Sequence, residues 1–277
     1  MMPGFIFISG LFHSNKRISQ KVAFFLILYV LMKAIIYVEK LILGLNPSFS
    51  LLKEDGIPWF MFAMAAFTLL SYLFREVNTP FMLVFSIIIA CFAGYDKSIG
   101  DTLVLSRILV FYPFYLAGKL VPIKTIISLR QKKAFRWCAL VPFVLWYLAC
   151  LFMTDKVYFL RPLLTGRNAF NETFLPYGAI WRLLCYLLST IMVLSTILLV
   201  PSKEIKPITV FGTRTLQVYF WHRLIIYLFT YLGLPSLFSA SHLLQLVWLG
   251  LGGLTAIVLS LKPFGLLTDS ILRLSRE

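Results

Sequence analysis

The chain has 277 residues, 60% of them hydrophobic and only 13% charged, with a mean hydropathy of +0.88; a soluble domain carries about a quarter of charged residues. Its formal charge of +15 comes from 26 Lys plus Arg against 11 Asp plus Glu, which suits cationic anchors in the loops of a membrane protein and gives no reason to expect nucleic acid as a partner. Cys91, Cys138, Cys150 and Cys185 lie in or beside apolar runs without a CxxC or Cys/His pairing, so they read as small buried hydrophobes, with neither a disulfide nor a metal site expected.

The chain opens with MMPGFIFISG, an apolar stub of about ten residues, too short for an ordinary span of about 20. It lacks the basic leader and small-residue cleavage site of a signal peptide. Apolar runs then predict helices near 22–45, 57–75, 80–95, 104–121, 134–153, 177–200, 215–233 and 242–261. The expected fold is all-α: one polytopic integral membrane helix bundle over residues 1–277, with about eight transmembrane helices plus the N-terminal half-helix stub. Lys16, Arg17 and Lys21 after the stub, and the acid-free segment 119–136 with six Lys and Arg, mark the cytoplasmic side. Lys53 beside Glu54 and Asp55, and Lys97 beside Asp96 and Asp101, place loops 46–56 and 95–103 outside. The same count puts loop 154–176 outside as a solvated connector, or less simply a substrate-binding loop, and puts the C-terminus in the cytoplasm.

Charges inside apolar runs carry the functional signal, because a charge at bilayer depth is costly unless it is paired or faces a wet cavity. Lys33, Arg107, His222 and Arg223 are such charges, whereas Glu39, Lys40 and Arg182 sit near helix ends and read as interfacial anchors. In FGTRTLQVYFWHRLIIYLF, residues 211–229, helical spacing aligns Thr215, Tyr219, His222, Arg223 and Tyr227 in one inward-facing stripe. A second stripe in SRILVFYPFYLAGK, residues 106–119, holds Arg107, Phe111, Phe114, Tyr115 and Gly118, with Pro113 expected to loosen the helix. The bland alternative is a packing helix whose Arg107 reaches the outer interface. There is no GxSxG, HExxH or Walker loop, and no buried carboxylate relay of the kind a proton-driven transporter needs.

Taken in order, four segments resemble the membrane acyltransferase-3 family, specifically its fucose 4-O-acetylase-like branch. SIGDTLVLSRILVFYPFYLAGKLV at 98–121 resembles the middle of that branch, and Gly212, Thr215, Tyr219 and His222 resemble its closing signature. IPWFMFAM at 57–64 and MPGFIFISGLF at 2–12 resemble its Leu-Trp-Phe-Leu helix start and its Met-Pro-x-Phe-x-x-x-Ser-Gly segment. The resemblance implies a membrane O-acyltransferase, an O-acetyltransferase in most members, moving an acyl group from cytoplasmic acetyl-CoA or another acyl-CoA to a sugar hydroxyl of a cell-surface or exported polysaccharide. It also implies a ten-helix plan in a bacterial plasma membrane, with a glycan acceptor and lipid as partners and no metal. Substrate-contact candidates are Arg107, Trp59, Tyr219, His222 and Arg223; Lys16, Arg17 and Lys21 are candidates for the CoA phosphates, which cations suit.

In the family the first helix carries the histidine taken as the catalytic base, and neither His13 nor His222 matches that position. A glutamate found in some branches five residues after the tryptophan is Met64 here. The expectation is therefore a truncated or inactive member without its general base, a group that contributes about 10²–10⁴-fold. The alternative is a non-catalytic membrane carrier, or transporter-like protein, for a glycan or lipid.

Overall fold

The computed structural model describes residues 2–54, 56–100, 102–201, 203–238 and 241–274; Asp55 and Asp101, counted above among the loop acids, lie outside them. In chain order the helices are α1 (Met2–Leu11), α2 (Ile18–Ile42), α3 (Trp59–Leu73), α4 (Thr79–Ala93), α5 (Leu105–Leu120), α6 (Ile123–Gln131), α7 (Lys133–Phe152), α8 (Thr154–Phe159), α9 (Arg161–Thr165), α10 (Gly178–Leu199), α11 (Lys206–Thr213), α12 (Thr215–Tyr231), α13 (Leu234–Phe238), α14 (His242–Leu259) and α15 (Lys262–Leu274). Among the described residues the only strand-like pairing is an isolated antiparallel bridge, Lys53 with Thr102.

Each of the eight apolar runs and the stub is helical, but helicity and spanning are separate matters. Among the described residues three helical segments are long and apolar enough to cross a membrane: Ile18–Ile42, Lys133–Phe152 and Leu175–Leu199, the last joining a 3₁₀ turn to α10. The number rises to five if each of two bent pairs is one span: α5 with α6, bent by 79°, and Leu243–Leu259 with Lys262–Arg273, bent by 55°. The remaining apolar helices, α1, α3 and α4, have 10 to 15 residues, short of the length a full crossing needs. Lipid explains the surface of α7, where Trp137, Val141, Leu145, Leu151 and Phe152 are all exposed; in water such a patch would be an aggregation hazard.

The break in α5 does not fall at Pro113, as periodicity suggested. That proline is buried inside a helix that runs on to Leu120. The turn comes at Val121–Pro122, where Val121 is extended, as the residue before a proline prefers.

Two compact units divide the chain, with boundaries inside α2 and α3. One holds residues 1–22, 52–54 and 62–202; the other holds 23–51, 55–61 and 203–277. In the first, α1 packs on α5, α4 on α5, and α10 on α7 and α4. The α1–α5 crossing is a backbone contact. A Cβ built on Gly10 would overlap the Tyr115 carbonyl oxygen, and one built on Gly118 would overlap that of Phe7, the small-residue approach that lets membrane helices pack without a hydrophobic driving force. In the second unit α12 packs on α14 and α15. Gln217, 5% exposed, holds that packing by donating to the Leu259 and Leu261 carbonyls.

Candidate functional site

Helix α5 carries polar clusters at both ends. At its start, Leu103 and Val104 take left-handed backbone angles, φ 53° and 57°, which a β-branched valine adopts only when its surroundings impose it. Here the Leu103 N–H donates to the Leu52 carbonyl at 2.6 Å beside the Lys53–Thr102 bridge. That contact brings Glu54 to Arg107. One carboxylate oxygen of Glu54 lies 3.0 Å from Arg107 Nη2 and 3.5 Å from Arg167 Nε. The Glu54 side chain is 2% exposed and Arg107 is 12% exposed, so Arg107 is a largely desolvated ion-pair member, not an interfacial anchor.

The segment 160–178 is no loose connector. Gly166 turns at φ +60° tight against Val110, and its carbonyl accepts from the Ser106 hydroxyl at 2.8 Å, one residue before Arg107. The Phe170 N–H donates to the Gly94 carbonyl at 2.7 Å, and the ring of Phe170 fills the space a side chain would need at both Gly94 and Gly178. Arg182, read from sequence as an interfacial anchor, is instead 1% exposed: its Nη1 donates to the Leu163 carbonyl at 2.6 Å and its guanidinium lies 5.2 Å from the Phe170 ring. Pinned at these points, the segment forms one wall of a cavity of about 510 Å³ lined by Arg107, Tyr158, Phe159, Arg161, Pro162, Thr165, Arg167, Asn168 and Asn171. Arg161 donates to the Tyr158 hydroxyl and lies over that ring. The volume falls within the range of small-molecule sites.

At the other end of α5, about 12 Å along the helix at 1.5 Å per residue, Tyr115 meets His13. The His13 Nδ1 lies 2.9 Å from the Tyr115 hydroxyl and Nε2 lies 2.9 Å from Asn15 Oδ1. Since Oδ1 can only accept, Nε2 carries the proton and Nδ1 of the neutral ring accepts from Tyr115. Burial pushes the His13 pKa below its usual 6.5, with Lys119 and Lys21 acting in the same direction against the hydrogen bond to Asn15. Of the basic residues singled out from sequence, Lys21 donates to the Ser14 carbonyl at 2.7 Å, the Lys16 N–H donates to the Ser14 hydroxyl, and Arg17 turns the chain at φ 53°. A cavity of about 420 Å³ lies among α1, α7 and α10; Phe5, Ile8, Trp146 and Leu188 give it an apolar lining.

The second unit holds the remaining sequence candidates. The stripe expected on α12 is only partly inward: Thr215 is exposed, Tyr219, His222, Arg223 and Tyr227 are half-buried, and the buried residues of the helix are Gln217 and Phe220. Arg223 donates to the Tyr227 hydroxyl at 3.1 Å and lies over its ring at 4.3 Å, and Lys40 lies 5.2 Å from the same ring. The Tyr219 hydroxyl donates to the Ile57 carbonyl, and its ring meets Phe60 at 5.6 Å, next to the buried Trp59. His222 turns Nδ1 back to its own helix, donating to the Val218 and Tyr219 carbonyls at 3.0 and 2.8 Å. Arg107, Lys16, Arg17 and Lys21 thus belong to one unit, and Trp59, Tyr219, His222 and Arg223 to the other. Lys33, the remaining charge in an apolar run, is 6% exposed and donates to the Ser50 carbonyl.

Sequence reasoning did not select Glu54, Arg161, Arg167, Asn168 or Asn171 as site residues. Glu54 reads from sequence only as a loop charge, and the signal that points to the other four is the bulky, mixed aromatic and cationic content of 154–176.

Long apolar helices with lipid-suited faces mark an integral membrane protein, and the segment 160–178 walls a polar cavity in it. The chain belongs to the acyltransferase-3 family: it matches the family described as Acyltransferase domain, Acyl_transf_3, over residues 1–262. The family supports a membrane acyltransferase and a transferase chemistry. No curated protein and no solved structure matches the chain.

Proposed function

We propose that the chain is a membrane O-acyltransferase of the fucose 4-O-acetylase-like branch, moving an acetyl or other acyl group from acyl-CoA to a sugar hydroxyl of a cell-surface or exported polysaccharide. Its setting is a bacterial plasma membrane, with the C-terminus and the Lys119 end of α5 in the cytoplasm. The observation that carries this reading is the division of labour along α5: a cationic cluster at one end and an arginine-lined cavity at the other. Lys16, Arg17, Lys21 and Lys119 suit the CoA phosphates, and Arg107 and the cavity take the acceptor sugar; Trp59, Tyr219, His222 and Arg223 are substrate-contact candidates only through the family resemblance. The interval of about 18 Å along α5 from Arg107 to Lys119, at 1.5 Å per residue, is one that an extended pantetheine arm can cover.

In the transfer the sugar oxygen attacks the thioester carbonyl, the C–S bond breaks, and the proton of the hydroxyl ends on the CoA thiol. Among the described residues no histidine lines the cavity. Transfer by these 277 residues is therefore expected to be slow, short of the about 10²–10⁴-fold that a positioned base supplies.

The test is label transfer from radioactive acetyl-CoA to polysaccharide by the chain in lipid nanodiscs, with the product identified by release in hydroxylamine. Label that depends on Arg107 is the expected result. Folded protein that binds glycan or lipid but neither binds acyl-CoA nor esterifies glycan would instead support the second reading, a non-catalytic glycan or lipid carrier, which the apolar cavity among α1, α7 and α10 favours.

A further inference from the structure

The Arg107 cavity has a chemical bias that the acyltransferase reading does not explain. Among the described residues its lining includes three arginines, Arg107, Arg161 and Arg167, and no carboxylate. The nearby acid, Glu54, lies beneath the wall at 2% exposure and binds two of those arginines on one oxygen. Tyr158, Thr165, Asn168 and Asn171 add the uncharged donors and acceptors that any sugar can use, so charge is what sets the cavity apart. Here the wall presents guanidinium groups, whose planar forks match carboxylate and phosphate oxygens. Glu54 fixes the two it binds while staying out of the cavity, and Tyr158 steadies the third through a hydrogen bond and its ring face.

We propose that this cavity recognises an anionic group on the acceptor, a sugar carboxylate or a sugar phosphate, so that the substrate is an acidic glycan. The inference rests on the reading of the chain as a sugar O-acyltransferase, and it names the class of sugar. Arg161 and Arg167 are the specificity residues: Arg161 is exposed and Arg167 is 41% exposed, so each can meet a ligand without its loss emptying the core.

The test is equilibrium binding to the full chain in phosphatidylcholine nanodiscs, with three probes of equal length: a glucuronate-containing oligosaccharide, its neutral glucose counterpart, and a phosphodiester-linked sugar oligomer. At least one charged probe should bind about tenfold tighter than the neutral one, the size of one charge-assisted hydrogen bond. Comparing the two charged probes separates carboxylate from phosphate. The preference should fall with added salt and disappear in R161Q and R167Q, both of which should keep the thermal unfolding temperature of the parent. Equal binding of all three probes, or an anion preference untouched by R161Q and R167Q, overturns the proposal. So does loss of the preference in phosphatidylglycerol nanodiscs, which would assign the arginines to lipid headgroups. The two readings fail separately. Anion-selective binding without acetyl transfer would remove the enzyme and keep the site, whereas transfer to neutral and acidic glycans alike would keep the enzyme and remove the anion specificity.

Discussion

Glu54→Gln is the sharpest perturbation of the first unit, because it keeps the side-chain volume and removes the charge that two arginines share. Deleting one partner of a buried pair costs about 3–5 kcal/mol when the other is left desolvated. Arg107, at 12% exposure and 3.0 Å, approaches that condition but borders a polar cavity, so its share belongs below that range, at about 2–3 kcal/mol. Arg167, 41% exposed and 3.5 Å away, adds no more than the ~1 kcal/mol of a surface pair. Hence E54Q should lose about 3 kcal/mol, and a double-mutant cycle should divide it unequally, with E54Q/R107Q coupled by about 2 kcal/mol and E54Q/R167Q by less than about 1. Reversible denaturant unfolding in bicelles reads both couplings. If R107Q and E54Q simply add, within the ~0.5 kcal/mol expected of independent sites, the ion pair does not hold the start of α5 and the reasoning fails.

Gly10→Ala and Gly118→Ala should each destabilise by about 1–3 kcal/mol, the usual range for overpacking, because the methyl meets backbone and no side chain can swing aside. Gly250→Ala and Gly252→Ala, with nothing within 4 Å of a new Cβ, should stay within about 0.5 kcal/mol in the same unfolding assay. Phe170→Ala removes the ring between Gly94 and Gly178, with an expected loss of about 3–5 kcal/mol and weaker binding of any ligand in the Arg107 cavity, read by calorimetry. His13 gives a pH signature of fixed sign. Its folded pKa lies below 6.5, so as pH falls through 6.5 the unfolded chain takes the proton first and stability drops, whereas above that value the histidine contributes no slope. Unfolding temperatures measured on both sides of pH 6.5 should show this decline in the parent and a smaller one in His13→Gln; parallel curves would refute the burial of His13 against Tyr115.

The apolar runs are legible because a membrane helix is written locally: its length and hydropathy lie in one stretch of chain, and all eight predicted segments are helical. The number that cross a bilayer is less local. Segments such as 57–75 shorten to the 15 residues of α3 once their ends are drawn into turns, and α14 with α15 bends by 55° between apolar pieces. The short helices α8 and α9 went unforeseen because six and five residues carry too little periodicity to read.

Arg107 and Glu54 show where site residues divide into readable and unreadable. Arg107 declares itself, since a charge in an apolar run is costly and must have a partner. That partner does not, because Glu54 sits among other charged loop residues, where an acid is usually solvated. Its burial depends on a backbone bond between loop residues 51 positions apart, the Leu103 N–H on the Leu52 carbonyl, and on two left-handed residues that make the loop fit. Arg182 failed in the opposite sense: its place near a helix end suggested an anchor, but the Phe170 segment folds over it and the Leu163 carbonyl accepts its hydrogen bond. Both cases turn on chain that lies outside the helices in sequence and closes over them in space. A charge at a helix end is therefore a weak guide to function until the segment that covers it is known, and in this protein that segment, 160–178, is also the wall of the candidate site.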